Sequence, residues 1–322
     1  MLFSQSKALE LLDKQLSEYT FGSHPADLYE PIKYILNLGG KRLRPLLALS
    51  SAYLFSDDWE KAVKPALAVE VFHNFTLMHD DIMDKAPLRR GKETVHKKWD
   101  SNTAILSGDV MLVKAYELLL YAESGNLKKI IEAFNKAAAE VCEGQKLDMN
   151  FETLDKVSID EYIAMISLKT AALLGFSLKL GALITNAKDN EVENLNKFGL
   201  NMGIAFQLMD DLLDVYGDQS KFGKQVGGDI TSNKKTFLYI TAFEKASGEN
   251  LKKLQAAYSS NDKNKVEKVK EIYDSLGIKN YTEDKMNHYF QLALNHLHKV
   301  NAPLNRKHFL QDFAEKLMKR DH

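Results

Sequence analysis

The sequence is short of cysteine, glycine and proline, and it has almost no net charge. Its 322 residues include a single cysteine, Cys142, so no disulfide can form within the chain, which fits a reducing compartment. Only 17 glycines and 6 prolines are available to break helices, which is below average usage. Lysine and arginine number 43 against 44 acidic residues, and this balance argues against a general nucleic-acid binder.

Three kinds of segment are also missing. Residues 1–7 lack the long apolar core of a signal peptide. The most apolar stretch, residues 170–184, is interrupted by Ser177 and Lys179 and reads as too short and too polar to span a bilayer. No Gly-x-x-x-x-Gly-Lys-Ser/Thr motif is present, so a phosphate-binding nucleotide loop is not expected. We therefore expect a soluble, cytoplasmic protein without a transmembrane segment.

The pattern of apolar residues predicts an all-α protein. Apolar side chains recur at steps of three and four between Leu195 and Tyr216 and again between Met286 and Val300, and Ser158 with Glu161 forms a capping-box pattern. The predicted helices span residues 5–20, 26–38, 42–55, 58–84, 96–122, 126–150, 158–185, 188–216, 233–246, 249–258, 263–275, 282–300 and 306–319. No linker or repeat divides the chain, which predicts a single domain over residues 1–322.

Two clusters of aspartate lie within predicted helices, and each has the spacing Asp-Asp-x-x-Asp. They occupy His79–Asp84 and Met209–Asp214. The carboxylates are Asp80, Asp81, Asp84, Asp210, Asp211 and Asp214. Positions i and i+4 share one helix face, so the first and last aspartate of each cluster form a forked pair. Crowded carboxylates repel each other and require a cation, and oxygen ligands without nearby Cys or His clusters suit Mg²⁺.

Basic residues follow each cluster and also occupy a turn near the N-terminus. Arg89 and Arg90 come just after the first cluster, where forked guanidinium groups can bind a diphosphate. The segment 223–236 follows the second cluster with glycines and lysines that can bind phosphate. In the third segment, 39–45, one lysine and two arginines lead into a helix. Arg89 and Arg90 favour a diphosphate site over a solvated helix end. The segment 223–236 alone is more typical of an ordinary surface loop, and the segment 39–45 alone is equally typical of an exposed helix–helix turn.

Polar residues that interrupt apolar helices give weaker signals. His73 lies two turns before the first cluster on roughly the same face, where a lone histidine is more often a core residue. Lys169, Thr170 and Gln207 interrupt other apolar helices. Together, two carboxylate pairs and three basic segments on an apolar helical frame predict a substrate with a diphosphate head and an apolar tail.

The order of these motifs resembles that of the trans-isoprenyl diphosphate synthases, also called polyprenyl synthetases, over nearly the whole chain. The matching motifs are Gly39–Pro45, the first cluster with Leu88-Arg89-Arg90-Gly91, and Phe206–Asp211. The resemblance implies an isoprenoid-synthase helical bundle around a deep central cavity, usually as a homodimer. It further implies a short-chain prenyltransferase of the farnesyl or geranylgeranyl type.

The resemblance also implies roles for individual residues. Isopentenyl diphosphate would be bound by Lys41, Arg44, His73 and Arg90. The allylic diphosphate would be bound by Arg89, Lys169, Lys224 and Lys234, with Thr170 and Gln207 beside it. About three Mg²⁺ ions would be held by the six aspartates. The residues implied to be catalytic are Asp80, Asp84, Arg89, Lys169, Gln207, Asp210, Lys224 and Lys234. The chain departs from the family pattern modestly, with Gly227-Gly228-Asp229 where Gly-Asn-Asp is common.

The implied reaction is a head-to-tail condensation of isopentenyl diphosphate with dimethylallyl, geranyl or farnesyl diphosphate, releasing pyrophosphate. Product length would be limited by side chains beneath Asp80 on the same helix, namely Phe72, Phe75 and Thr76. An aromatic residue five positions before the first aspartate points to a C15 or C20 product. The small Thr76 leaves a longer product open, and Phe75 could also be an ordinary core residue.

Three other functions compete with this interpretation. A class I terpene cyclase would share the first cluster, but its second metal site usually carries Asn, Ser and Glu, and it needs no isopentenyl site. A non-catalytic subunit of a heteromeric synthase tends to lose aspartates from one cluster, whereas this chain keeps all six. A purely structural helical bundle gives no reason for the paired carboxylates.

Overall fold

Helices make up nearly all of the regular structure, as the scarcity of glycine and proline predicts. The computed structural model describes residues 3–217, 227–260 and 262–318. The helices are α1 (Gln5–Glu18), α2 (Ala26–Asn37), α3 (Leu43–Phe55), α4 (Val63–Met83), α5 (Val95–Lys98), α6 (Ser101–Leu119), α7 (Leu127–Thr153), α8 (Ile159–Ile166), α9 (Ala172–Ile184), α10 (Asp189–Tyr216), α11 (Gly228–Thr231), α12 (Phe237–Lys245), α13 (Gly248–Tyr258), α14 (Lys265–Ser275), α15 (Ile278–Lys299) and α16 (Leu304–Met318). The all-α prediction is confirmed.

Short irregular segments connect these helices. A 3₁₀ turn, Trp59–Ala62, precedes α4, and a π-helical segment, Ser167–Ala171, joins α8 to α9. In the described part of the chain, strands occur only as the antiparallel hairpin of β1 (Leu88–Arg89) and β2 (Lys92–Glu93).

Helix capping explains one success and one error of the sequence prediction. Ser158 and Glu161 form the predicted capping box, with the Ser158 hydroxyl accepting from the Glu161 amide at 3.2 Å. The prediction of a single helix over residues 96–122 was wrong, because α5 ends at Lys98 and α6 begins at Ser101. Asp100 caps α6 by accepting a hydrogen bond from the Thr103 amide at 2.9 Å, so the chain turns there.

The chain forms two compact units. The first contains Met1–Lys136, Phe176–Asn196 and Val300–Lys307, and the second contains Ala137–Gly175, Lys197–Lys299 and His308–His322. The single-domain organisation over residues 1–322 stays a prediction.

In the first unit, α4 is the central helix. It packs against α6 and α3 and also contacts α1 and α2. Because it is surrounded, most of its side chains are buried, including Val69, Phe72 and Met78. Partly exposed positions in its second half include His73, Thr76 and Asp80, which follow one another at steps of three and four. One stripe of α4 therefore carries the predicted binding residues.

In the second unit, the C-terminal half of α10 is buried on two sides. Met209 and Leu213 belong to one apolar cluster with residues of α8, α12 and α15. Leu212 and Val215 belong to a second cluster with residues of α11 to α14. With both sides packed, the remaining partly exposed positions near the second aspartate cluster include Asp210 and Asp214.

The apolar stretch of residues 170–184 forms the C-terminal part of a longer apolar helical segment. Helical structure is continuous over Ile159–Ile184, and an 18-residue window of it has a mean hydropathy of 1.5. By length and composition alone, this longer segment could cross a membrane, although the stretch of residues 170–184 was expected to be too short. Within the protein, 61% of that window is buried, which is the pattern of a core helix.

Candidate active site

The first aspartate cluster lies at the C-terminal end of α4. Asp80 is partly exposed and Asp84 is exposed, whereas Asp81 is buried at 2% exposure. The helical spacing accounts for this division, because positions 80 and 84 share a face that position 81 does not. Two of the three predicted metal ligands thus lie at the accessible surface of the first unit.

Asp81 is bonded to Arg89 on the hairpin that follows α4. Arg89 donates from Nε to both carboxylate oxygens at 3.0 and 2.9 Å and from Nη2 to Oδ1 at 2.7 Å. The hairpin turn places Arg90 and Gly91 at φ 54° and 75°, and two positive φ angles are typical of the tight type I′ turn. The turn directs Arg89 back to α4, so the structure pairs a predicted metal ligand with a predicted diphosphate ligand.

A cluster of basic side chains in the first unit brings together three of the four predicted isopentenyl diphosphate ligands. Arg44 donates from Nη1 to Nε2 of His73 at 3.0 Å. The guanidinium of Arg90 lies against the Gly39–Gly40 turn, where a Cβ on Gly40 (φ 148°) would be 3.1 Å from Nη2. The fourth predicted ligand, Lys41, is exposed directly after this turn.

The titration of this cluster favours anion binding. Burial lowers the pKa of Arg44 to about 10 despite the opposing charge of Glu70, so the guanidinium stays charged at neutral pH. Burial and then the charge of Arg44 lower the pKa of His73 well below its ordinary value, so His73 is neutral and accepts from Arg44. Nε of Arg44 is buried without a hydrogen-bond partner among the described residues, and an incoming anion could satisfy it.

Glu70 is a buried carboxylate within this cluster that no sequence motif marks. It is 3% exposed and accepts hydrogen bonds from Nη1 of Arg42 at 2.7 Å and from Nδ2 of Asn74 at 3.2 Å. Its negative charge also raises the pKa values of Arg44 and Arg90, against the effect of burial. Glu70 therefore offsets the repulsion of a site that is crowded with guanidinium groups.

The second aspartate cluster repeats the division of the first on α10. Asp210 and Asp214 are partly exposed, and Asp211 is buried at 3% exposure. Asp211 accepts from the Tyr162 hydroxyl at 2.5 Å, from Nε2 of Gln207 at 3.2 Å and from the Phe237 amide at 3.3 Å. Burial, followed by the charge of Asp229, raises the pKa of Asp211 to about 7.

The π-helical segment carries Lys169 and Thr170, both predicted to contact the allylic substrate. Lys169 donates from Nζ to Oδ2 of Asp148 at 2.6 Å, and Thr170 donates to Oε1 of Gln207 at 3.1 Å. Burial of Asp148 opposes its ionisation, but the charges of Lys234 and Lys169 outweigh this effect and lower its pKa. In the sequence, Asp148 belongs only to a weak polar interruption of a predicted helix, residues 143–148.

Lys234 and Lys235, which follow the second cluster, lie in different environments. Lys235 donates to the carbonyl of Phe151 at 2.7 Å and so caps the C-terminal end of α7. Lys234 is exposed, and its charge acts on Asp148 and Asp211. The predicted ligand Lys224 lies outside the described residues.

The predicted chain-length residues lie one to two turns before Asp80. Phe72 is fully buried, with its ring centroid 5.5 Å from that of Phe75 and 5.2 Å from that of Phe134. Phe75 is 8% exposed, and its ring lies 4.7 Å from that of His79. Thr76 is partly buried and donates to the His73 carbonyl at 2.8 Å. The structure thus places an aromatic cluster beneath the first carboxylate pair.

The carboxylates fit Mg²⁺ that binds together with a substrate. Among the described residues, no group of three or more His, Cys, Asp or Glu side chains is arranged to hold a metal ion by itself. Each cluster offers two accessible carboxylates on one helix face. Mg²⁺ is commonly held by one or two carboxylates together with waters and substrate phosphates, which is the donor set that each cluster would complete with a diphosphate.

Comparison with known proteins agrees with this chemistry. The family model described as Polyprenyl synthetase matches residues 25–276. The geranylgeranyl diphosphate synthase of Saccharolobus solfataricus is 40% identical over 298 residues, covering 91% of this chain and 87% of that protein. The geranylgeranyl pyrophosphate synthase of Geoglobus acetivorans is 36% identical over 97% of each chain. A crystal structure of a geranylgeranyl pyrophosphate synthase matches with a TM-score of 0.93 and 43% identity over 100% of both chains.

Proposed function

The chain belongs to the polyprenyl synthetase family and is a short-chain prenyltransferase, and we propose that its product is the C20 compound geranylgeranyl diphosphate. Similarity to two geranylgeranyl diphosphate synthases over 90% or more of this chain supports that length. The aromatic pair Phe72 and Phe75 beneath Asp80 supports a short product rather than a long one.

Mg²⁺ would be held by the accessible carboxylates of each cluster. These are Asp80, Asp84, Asp210 and Asp214. Asp81 and Asp211 are not part of this set, because both side chains are buried and protein donors occupy both oxygens of each carboxylate. Bound Mg²⁺ would neutralise the charge that develops on a leaving diphosphate.

The basic cluster of the first unit would bind isopentenyl diphosphate through Lys41, Arg44, His73 and Arg90. The observation that carries this assignment is the buried Nε of Arg44, which has no hydrogen-bond partner among the described residues and lies beside a neutral histidine. Arg89, Lys169, Lys224 and Lys234 would bind the allylic diphosphate. Charge-assisted hydrogen bonds from these groups to phosphate oxygens are about twice as strong as neutral ones.

The reaction would begin when the allylic C–O bond breaks and pyrophosphate leaves with the electron pair. The double bond of isopentenyl diphosphate then forms the new C–C bond with the allylic cation, and the cationic adduct loses a proton to the released pyrophosphate. Thr170 and Gln207 would face the cation, where their dipoles stabilise it. Apolar side chains would exclude water, which would otherwise quench the cation.

We further propose that the protein is a cytoplasmic homodimer. Helix α6 exposes three large apolar side chains, Ile105, Leu106 and Val113, at 42%, 57% and 63%. Grouped exposed apolar side chains are typical of a surface that a protein partner covers. The lone cysteine supports a reducing compartment.

Product analysis tests the proposed function. Purified protein with Mg²⁺ and isopentenyl diphosphate should release pyrophosphate with dimethylallyl, geranyl and farnesyl starters. Chromatography after dephosphorylation should show geranylgeraniol as the longest main product. Absence of product with all three starters would contradict the synthase, and a longer main product would contradict the C20 assignment.

The variant Phe75→Ala tests the chain-length assignment. Loss of the ring should open space beneath Asp80 and add one or more C5 units to the main product. Phe21→Ala is the matched control, since Phe21 is also buried but lies outside α4. It should lower stability without changing the product, and an unchanged product from both variants would make Phe75 an ordinary core residue.

A further inference from the structure

The buried aspartate of the second cluster holds a polar network that links three elements of the second unit. Asp211 on α10 receives hydrogen bonds from Tyr162 on α8, from the amide of Phe237 at the start of α12, and from Gln207 one turn earlier on α10. All of these donors are neutral. Asp81, the equivalent residue of the first cluster, is instead bonded to the cationic Arg89.

This network determines the orientation of the Gln207 amide. Gln207 donates from Nε2 to Oδ1 of Asp211 at 3.2 Å, so its NH₂ group faces the carboxyl group. Its oxygen then lies on the opposite side, where the Thr170 hydroxyl donates to it at 3.1 Å. Without the carboxylate, the amide could turn over and reverse both dipoles.

Tyr162 in turn holds Asp211 in place. Its hydroxyl is bonded to Oδ2 at 2.5 Å, and the side chain is 2% exposed. The Phe237 amide donates to the same oxygen, while Gln207 donates to Oδ1. Since one carboxylate oxygen is held by two donors, the other is left in a defined position for Gln207.

We propose that Tyr162 and Asp211 are positioning residues that act through Gln207, by fixing the direction of the Gln207 and Thr170 dipoles that face the allylic cation. This inference rests on the proposed reaction. It assigns a role to Tyr162 and gives Asp211 a task other than holding Mg²⁺.

Tyr162→Phe tests the role of the hydroxyl while keeping the ring. It should lower kcat about tenfold, the rate equivalent of one hydrogen bond, with the KM for isopentenyl diphosphate changed less than about twofold. Tyr216→Phe is the matched control because it also removes a tyrosine–aspartate bond, that between Tyr216 and Asp274 at 2.8 Å. Equal kcat values for the two variants would overturn the proposal.

A double-mutant cycle distinguishes positioning from a general structural role. If Tyr162 acts through Gln207, Tyr162→Phe should have little further effect on kcat in a Gln207→Ala background. Multiplicative loss in the double variant would overturn the proposal. Thermal unfolding of each variant checks that the variant is folded under the assay conditions.

The Mg²⁺ requirement distinguishes positioning from metal binding. Asp211→Asn should lower kcat and leave the Mg²⁺ concentration for half-maximal activity unchanged, whereas Asp210→Asn should raise it about tenfold or more. A matching rise for Asp211→Asn would overturn the proposal. Wild-type protein that makes no prenyl product would contradict the proposed function itself, which separates the two failures.

Discussion

At the scale of single residues, a buried carboxylate needs hydrogen bonds or a counter-charge to offset its lost hydration. Asp81 accepts hydrogen bonds from the guanidinium of Arg89, and Asp211 accepts hydrogen bonds from three neutral donors. Both arrangements leave the flanking aspartates at the accessible surface. A motif that looks like three equivalent ligands therefore contains two accessible carboxylates and one that is buried.

Glu70→Gln is expected to destabilise the protein by about 3 kcal/mol, because it removes the buried charge that pairs with the partly buried Arg42. It should also raise the KM for isopentenyl diphosphate, since the guanidinium groups of Arg44 and Arg90 lose a nearby counter-charge. Chemical denaturation measures the free energy of unfolding, and steady-state kinetics measures the KM.

Glu60→Gln is the matched control for this variant. Glu60 pairs with Lys7 at the surface, where an ion pair contributes at most about 1 kcal/mol. Equal effects of the two substitutions would show that the buried charge of Glu70 does not stabilise the basic cluster.

At the scale of elements, the π-helical segment and α7 approach each other closely. A Cβ on Gly144 of α7 would lie 2.2 Å from the backbone nitrogen of Lys169. The approach brings Asp148, one turn further along α7, to Lys169. Glycine at this position is therefore required by the packing that positions Lys169 and Thr170.

Gly144→Ala is expected to displace the π-helical segment, because its new methyl group would meet backbone rather than a movable side chain. We expect a loss of about 1–3 kcal/mol in stability and a larger relative loss in kcat than in binding of isopentenyl diphosphate. Gly125→Ala is the control, since a Cβ there meets nothing within 4 Å. Full activity of Gly144→Ala would mean that the segment adjusts without cost.

At the scale of the whole molecule, each compact unit carries one aspartate cluster and its own basic residues. The first has Arg44, Arg89 and Arg90, and the second has Lys169 and Lys234. Each unit also contains a long helix that is packed on most sides and accessible at its carboxylates. In the proposed dimer, the exposed apolar face of α6 would form the interface between the two subunits.

Leu106→Glu is expected to weaken the proposed dimer, because it buries a charge at the apolar face of α6. The dimer Kd should rise at least about a hundredfold, since a symmetric interface contains the substitution twice. Sedimentation velocity over a range of protein concentrations measures this change. Leu304→Glu is the control at a position that is 76% exposed on α16; an identical dimer population in both variants would place the interface elsewhere.

Much of the fold could be predicted from the sequence because helix formation depends on local spacing. The capping box at Ser158 was sufficient to predict where α8 begins, and the apolar stripe before Tyr216 was sufficient to predict the long helix α10. The break at Asp100 was missed, although an Asp-Ser pair is a recognisable helix start. The π-helical segment could not be predicted, because it depends on packing against Gly144, a residue distant in sequence.

The sequence by itself determined the helical class, the positions of the two aspartate clusters and the basic residues around them, because these depend on residue type and short-range spacing. Only the tertiary structure decided that Asp81 and Asp211 turn inward. It also decided that Glu70 pairs with Arg42, Asp148 with Lys169 and Tyr162 with Asp211. Burial and hydrogen-bond partners depend on residues that are far apart in sequence and meet only when the chain folds.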